Sequence, residues 1–266
     1  MILKFNKISL HPRFSSIIDI FINIFYIYAV TTVKSWWVLM ALLIGKQFVH
    51  FIILSATYHP TKAIRWRNFF SLFILNLGVI MSIIFLEWKV AIYILGAVYI
   101  ILSASSTWML PNSGIGVSLA IKPHLRWRFI STVFGLAGTM TGVQAIMVFQ
   151  VAYRVNNWIW FALLAIVSVL IAIWWWWEYD IKYNKLFLLS ALIFFLIMIE
   201  IIAVVALLPL GYLISGLILT WIWYIVWLLF RFNMSSEGIN WKKQSRFIIS
   251  NLLIFILFLF FIAKWK

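Results

Sequence analysis

The chain has 266 residues, is 66% hydrophobic and 10% charged, carries a net charge of +15 and has a mean hydropathy of +1.09. A water-soluble domain is nearer half apolar and about a quarter charged, so this composition excludes a soluble globular fold and implies a bilayer as solvent. The Lys and Arg residues form short clusters between long apolar runs, which excludes nucleic acid as a partner, and with no cysteine there are no disulfides, thiolates or Cys-held metals.

A membrane-crossing helix needs about 20 apolar residues. In chain order this predicts spans at Phe14–Val33, Trp36–Ala56, Asn68–Leu86, Val90–Leu110, Phe129–Ala152, Trp158–Trp177, Leu186–Leu208, Gly211–Phe230 and Phe247–Ala263. The expected fold is all-α: one polytopic transmembrane bundle over residues 1–266, with nine spanning helices, or eight if the short last one does not cross. The absence of strong period-2 alternation argues against a β-barrel. The first apolar run is longer than a signal-peptide core and no small-x-small site ends it, so it is expected to be a span.

The connections set the expected orientation. One side carries Lys4, Lys7, Arg13, Lys62, Arg65, Arg67, Lys122, Arg126, Arg128, Lys182, Lys185, Arg231, Lys242, Lys243 and Arg246. The other carries Lys34, Lys89, Arg154, Lys264 and Lys266. By the positive-inside rule the N-terminus is cytoplasmic and the protein sits in the cell (inner) membrane. Trp at the ends of many runs fits interfacial belts, and the Trp174–Trp177 run is expected to be one, since four consecutive side chains point in all directions.

The longest connection, Pro111–Arg128, contains Pro-Asn-Ser-Gly-Ile-Gly, which argues against a continuous helix. Residues 116–126 are expected to form a short interfacial segment. A faint repeat, His59-Pro60 with Arg65-Trp66-Arg67 and Pro123-His124 with Arg126-Trp127-Arg128, fits either duplicated helix groups or two similar basic-aromatic junctions.

Charges inside a bilayer are costly and are functional candidates by default. In the first span these are Asp19 and Asn23; in the second, Lys46 and His50, next to Gln47. Each i,i+4 pair shares a helix face. A tight antiparallel connection near Lys34 places Asp19 level with residue 49, predicting an Asp19–His50 or Asp19–Lys46 contact, and Asn76 lies deep enough to join. The alternatives are a structural polar clamp or a snorkelling Lys46 with Asp19 near the headgroups. Glu200 is a lone mid-helix carboxyl, with Gln144 at similar depth as its expected hydrogen-bond partner. In the fifth span Gly135, Gly138, Thr139, Thr141, Gly142 and Ala145 predict close helix packing or a cleft-lining wall shared with Ser103–Thr107. Arg65, Arg67, Arg126 and Arg128, beside Trp66 and Trp127, suit an anionic lipid headgroup or a phosphate.

The four histidines, His11, His50, His59 and His124, lack helical metal-motif spacing, so neither a metal nor a cofactor is expected. With little loop mass and no catalytic cluster, the expected function is a non-enzymatic transporter-like or channel-like protein, or a subunit of a membrane complex. Its partners would be membrane lipids and other membrane protein subunits. The alternatives are an enzyme acting on lipid or a lipid-linked substrate at the cytoplasmic interface, and a structural scaffold subunit.

Overall fold

The structure, a computed structural model, describes residues 10–33, 35–57, 62–110, 117–148, 157–235 and 241–261, without the side chains of 62–64, 117–122, 241–243 and 258–261. Lys4, Lys7, Lys34, His59, Pro60, Arg154, Glu237, Lys264, Trp265 and Lys266 lie outside the described residues, as do the side chains of Lys62, Lys122, Trp241, Lys242 and Lys243.

The described residues form α1 (Pro12–Thr32), α2 (Trp36–Ala56), α3 (Lys62–Ile84), α4 (Lys89–Trp108), α5 (Val117–Val148), α6 (Asn157–Glu178), α7 (Lys185–Leu207), α8 (Tyr212–Met234) and α9 (Trp241–Phe261). Long apolar runs become helices because a helix satisfies its own backbone where water is absent. Local signals set several ends. Pro12 opens α1, where His11 accepts a hydrogen bond from the Arg13 amide at 3.2 Å. Asn184 caps α7 by accepting from the Phe187 amide at 2.8 Å.

Eight helices are long and apolar enough to cross a membrane. The chain is an integral membrane protein. In α9 the residues with described side chains include a shorter apolar helix, Gln244–Leu257. Of the two sequence alternatives, the described residues give eight span-length helices and a shorter ninth.

One expected loop is helical. Residues 117–126 continue directly into α5, which has Pro123 inside it. Proline deletes one backbone hydrogen bond, and a helix of 32 residues absorbs that loss without breaking. Among the described residues of the expected segment, 117–126 are part of α5.

The chain divides into two compact units, Met1–Thr139 and Met140–Lys266, with the boundary inside α5. In the first unit, side-chain pairs fix the directions. Ser16 donates to the Ala104 carbonyl (2.8 Å) and Ser103 to Asp19 (2.5 Å), so α1 and α4 are antiparallel. Thr57–Ser15 (2.6 Å) and Lys46–Asp19 (3.1 Å) do the same for α1 and α2, and Ser106–Asn68 (2.6 Å) and Tyr99–Asn76 (2.6 Å) for α3 and α4. Arg13, Arg65, Arg67, Arg126 and Arg128 therefore share one end of this unit, while Lys89 opens α4 at the other.

α3 and α5 run parallel and almost touch. A Cβ on Gly78 would overlap the Gly135 backbone. One on Gly135 would overlap Ile74 and Leu75, and one on Gly138 would overlap Gly78. The glycine-rich character of α5 is used here for backbone contact.

The second unit has an aromatic core. Trp175 and Trp176 are fully buried, as are Trp223 and Phe194. The Trp176 ring lies 5.6 Å from Phe187, 5.7 Å from Phe194 and 6.1 Å from Phe230. The tryptophan run is thus not only a belt: Trp177 is exposed, whereas Trp175 and Trp176 face inward to fill space between α6, α7 and α8.

Candidate functional site

The network begins with α1. Ser15, Ser16, Asp19, Asn23 and Tyr26 are buried and lie three or four residues apart around one face, while Phe21, Phe25 and Tyr28 are exposed. A helix in lipid turns its polar stripe inward because unpaired polar groups are costly in hydrocarbon. α2 presents Lys46, Gln47 and His50, α3 presents Asn68 and Asn76, and α4 presents Tyr99, Ser103 and Ser106.

These stripes converge on Asp19, which is 1% exposed. Its Oδ1 accepts from Lys46 Nζ at 3.1 Å and lies 2.8 Å from His50 Nε2; its Oδ2 accepts from Asn23 Nδ2 at 2.9 Å and from Ser103 Oγ at 2.5 Å. Four donors on two oxygens is the coordination an ionised carboxylate takes. Lys46 is 4% exposed and its ammonium is bonded to Asp19, so the side chain turns into the bundle rather than outward. Asp19 lies about 10 Å along the axis from the start of α1, and Lys46 about 15 Å from either end of α2.

The network continues through Asn76. Its Nδ2 donates to Gln47 Oε1 (3.0 Å) and faces His50 Nδ1 (3.1 Å), and its Oδ1 accepts from the Tyr99 hydroxyl (2.6 Å). An amide donor at Nδ1 makes that nitrogen the acceptor, so Nε2 carries the hydrogen and donates to Asp19. Tyr99 has one hydrogen for two acceptors, since Asn23 Oδ1 also lies 3.0 Å away. Gln47 anchors the group to the α3 backbone by donating to the Phe69 carbonyl at 3.1 Å.

Asp19, Asn23, Lys46, His50 and Asn76 are thus in mutual contact. Sequence reasoning missed Tyr99 and Ser103 as members and left Gln47 out of the cluster. Ser103 had a readable signal, three residues before Ser106 on one face of α4; Tyr99 had none.

Glu200 and Gln144 are not brought together. On α7 the buried positions are Phe187, Ser190, Phe194, Met198, Ile202 and Val205. Glu200 is two residues beyond Met198, about 200° around the helix, and is exposed. Gln144 is buried, and its Nε2 has no hydrogen-bond partner. Glu200 instead lines a groove of about 370 Å³ with Ile201, Val204, Leu208, Ile222 and Phe255.

The four arginines share one end of the first unit but differ in burial. Arg67 and Arg126 are exposed, Arg65 is half-buried and Arg128 is buried. None of them lines this groove or the groove between α1 and α2. Among the described residues no cluster of His, Asp and Glu could hold a metal ion.

Comparison with family models, curated proteins and solved structures found no match. What the arrangement can do therefore rests on its own chemistry. A buried carboxylate shared by an ammonium and an imidazole is chemically able to exchange a proton, and the hydrogen bonds through Asn76 and Tyr99 join that group to α3 and α4.

Proposed function

We propose that this protein is a non-enzymatic, proton-coupled membrane transporter whose working centre is the Asp19–Lys46–His50 network. The observation that carries this reading is one buried carboxylate bonded to both basic groups inside span-length helices. Asp19 and Lys46 cancel in charge, and His50 is the one further basic group in contact with Asp19. A proton entering the network lands on His50 Nδ1. Asn76 must then turn its carbonyl oxygen toward the new N–H, giving up its bond to Gln47 Oε1; its amide nitrogen faces Tyr99, and the Tyr99 hydroxyl donates to Asn23 instead. One proton reverses a chain of bonds joining all four helices, which is the kind of two-state element that couples binding to rearrangement.

Buried polar pairs lie between the network and the basic end, and a proton route would pass among them. Ser15 and Thr57 pair at 2.6 Å, Ser106 donates to Asn68 at 2.6 Å, and Thr132 donates to Ser71 at 3.2 Å. The basic end is assigned to the cytoplasm of a cell membrane, because Arg13, Arg65, Arg67 and Arg126 lie there.

The test is charge displacement in proteoliposomes on a solid-supported membrane, with a step from about pH 8 to about pH 6, across the ordinary histidine range. Wild-type protein gives a transient inward charge movement, and monodisperse His50→Gln and Asp19→Asn proteins give none. A wild-type transient from folded His50→Gln protein overturns the reading.

A second reading, membership of a larger membrane complex, is favoured by Glu200. An exposed carboxyl mid-way along a spanning helix is costly against lipid and is met by a donor from another subunit. Purification in mild detergent tests it: a stoichiometric partner is retained by the wild type and lost with Glu200→Leu. A wild type that purifies alone overturns it.

A further inference from the structure

A lateral groove of about 450 Å³ lies between α1 and α2, within the usual size of a small-molecule site of about 300–1,000 Å³. Its lining, which includes Ile22, Phe25, Ala29 and Leu42, is apolar except at Tyr26 and Lys46. The flank around it faces the hydrocarbon, with Phe25 72% exposed.

Both polar residues are short of acceptors. The Tyr26 hydroxyl is buried and has no hydrogen-bond partner. The Lys46 ammonium has three N–H groups; Asp19 accepts one, and no second acceptor occurs among the described residues. Lys46 Nζ lies 6.0 Å from the Tyr26 ring centre, and both residues line the groove. Buried donors of this kind need an acceptor. The groove also has room where a side chain would normally stand, because a Cβ on Gly45 would meet nothing within 4 Å.

We infer that the groove binds a long-chain lipid bearing a carboxyl or ester group, drawn from the bilayer, with its chain along the apolar lining and its oxygens on Tyr26 and Lys46. Two donors lacking acceptors in one groove match an oxygen-bearing head group, and an apolar slot open to hydrocarbon matches the chain. Lys46 belongs to both the groove and the proton network, so an acceptor on Lys46 competes with Asp19 for the same ammonium. The role of this ligand as substrate rests on the proton-coupled reading; the binding site does not.

The test uses the full chain in lipid nanodiscs with two photoactivatable probes, a long-chain fatty acid with a diazirine in its tail and an alkane of equal length with the same group. Labelled peptides are mapped by mass spectrometry. The fatty acid labels α1 and α2 around the groove more strongly than the alkane. Gly45→Leu cuts fatty-acid labelling about tenfold, a loss of about 1.4 kcal/mol in binding. Tyr26→Phe reduces fatty-acid labelling and leaves alkane labelling unchanged, while Gly45→Ala, a control for folding, keeps most of the signal.

Equal labelling by both probes, indifference to Gly45→Leu, or cross-links to a second protein chain seated on the groove each overturn the site. Labelling that behaves as expected in a protein with no pH-driven charge movement retains the site and removes the transport role. Normal charge movement with no selective labelling removes the site alone.

Discussion

Replacing Asp19 by Asn keeps the shape of the side chain and removes the only charge that balances Lys46. In the wild type Asp19 accepts from Lys46 (3.1 Å), His50 (2.8 Å), Asn23 (2.9 Å) and Ser103 (2.5 Å). Asparagine offers one acceptor oxygen to the pair on Lys46 and His50, and turns an amide donor toward the pair on Asn23 and Ser103. The ammonium is 4% exposed and cannot reach water from mid-helix. Breaking a buried ion pair by removing one partner costs about 3–5 kcal/mol, whereas removing both charges costs far less. Asp19→Asn should therefore cost about 3–5 kcal/mol, and Asp19→Asn with Lys46→Met should stand within about 2 kcal/mol of the wild type. Unfolding by added SDS in mixed micelles, followed by fluorescence of the 17 tryptophans, measures both. A single variant within about 1 kcal/mol of wild type, or a double variant as costly as the two singles together, refutes the reasoning.

Three further outcomes follow from the same structure. Tyr99→Phe removes the hydroxyl that donates to Asn76 at 2.6 Å and leaves a buried acceptor unmet, so it should cost about 1–3 kcal/mol in the same unfolding assay. Gly135→Val places a side chain into the Ile74 and Leu75 backbone and should abolish monodisperse protein on size exclusion, while Gly45→Ala, with open space at its Cβ, should fall within about 1 kcal/mol of wild type and favour the helix. The cysteine-free chain suits labelling by a membrane-impermeant maleimide: Glu87→Cys, beyond α3, should react in intact cells, and Asp180→Cys, beyond α6, only after permeabilisation. Reaction of both from the same side contradicts the alternating topology.

Much of this architecture was legible because lipid simplifies the code. Spans appear as apolar runs of fixed length, and basic residues mark their ends. The Asp19–Lys46–His50 contact followed from two i,i+4 polar pairs and a tight antiparallel connection. Tyr99 was not legible: in a chain with 10 Tyr and 24 Phe, one aromatic in an apolar run carries no mark of the hydroxyl's role. The facing of Glu200 was hidden for a related reason. α7 is apolar all round, with Ser190 its one other polar side chain between Leu186 and Leu207, so periodicity could not say which side packs and which meets lipid. The helical path through Pro123 was missed because proline was weighed as a breaker, whereas a long helix with packed neighbours carries one lost bond.

The inward-facing Trp175 and Trp176 show a different limit. Four consecutive tryptophans must face several directions, and only the placement of Phe187, Phe194 and Phe230 decides which of them become core. Tertiary neighbours, not local pattern, set that outcome. Arg231, its guanidinium 3.5 Å from the centre of the Tyr179 ring, completes that cluster by a cation–π contact that no short-range pattern foretells.

The proton that the proposed function assigns to His50 is most directly read by ring-nitrogen NMR of histidine-labelled protein in nanodiscs, with His50→Gln identifying the His50 signals. The account predicts an Nε2-protonated ring at high pH that gains a proton at Nδ1 as pH falls, and a changed titration when Tyr99→Phe interrupts the chain through Asn76. A His50 ring fixed in one protonation state from about pH 5 to about pH 8, in protein otherwise folded, contradicts it.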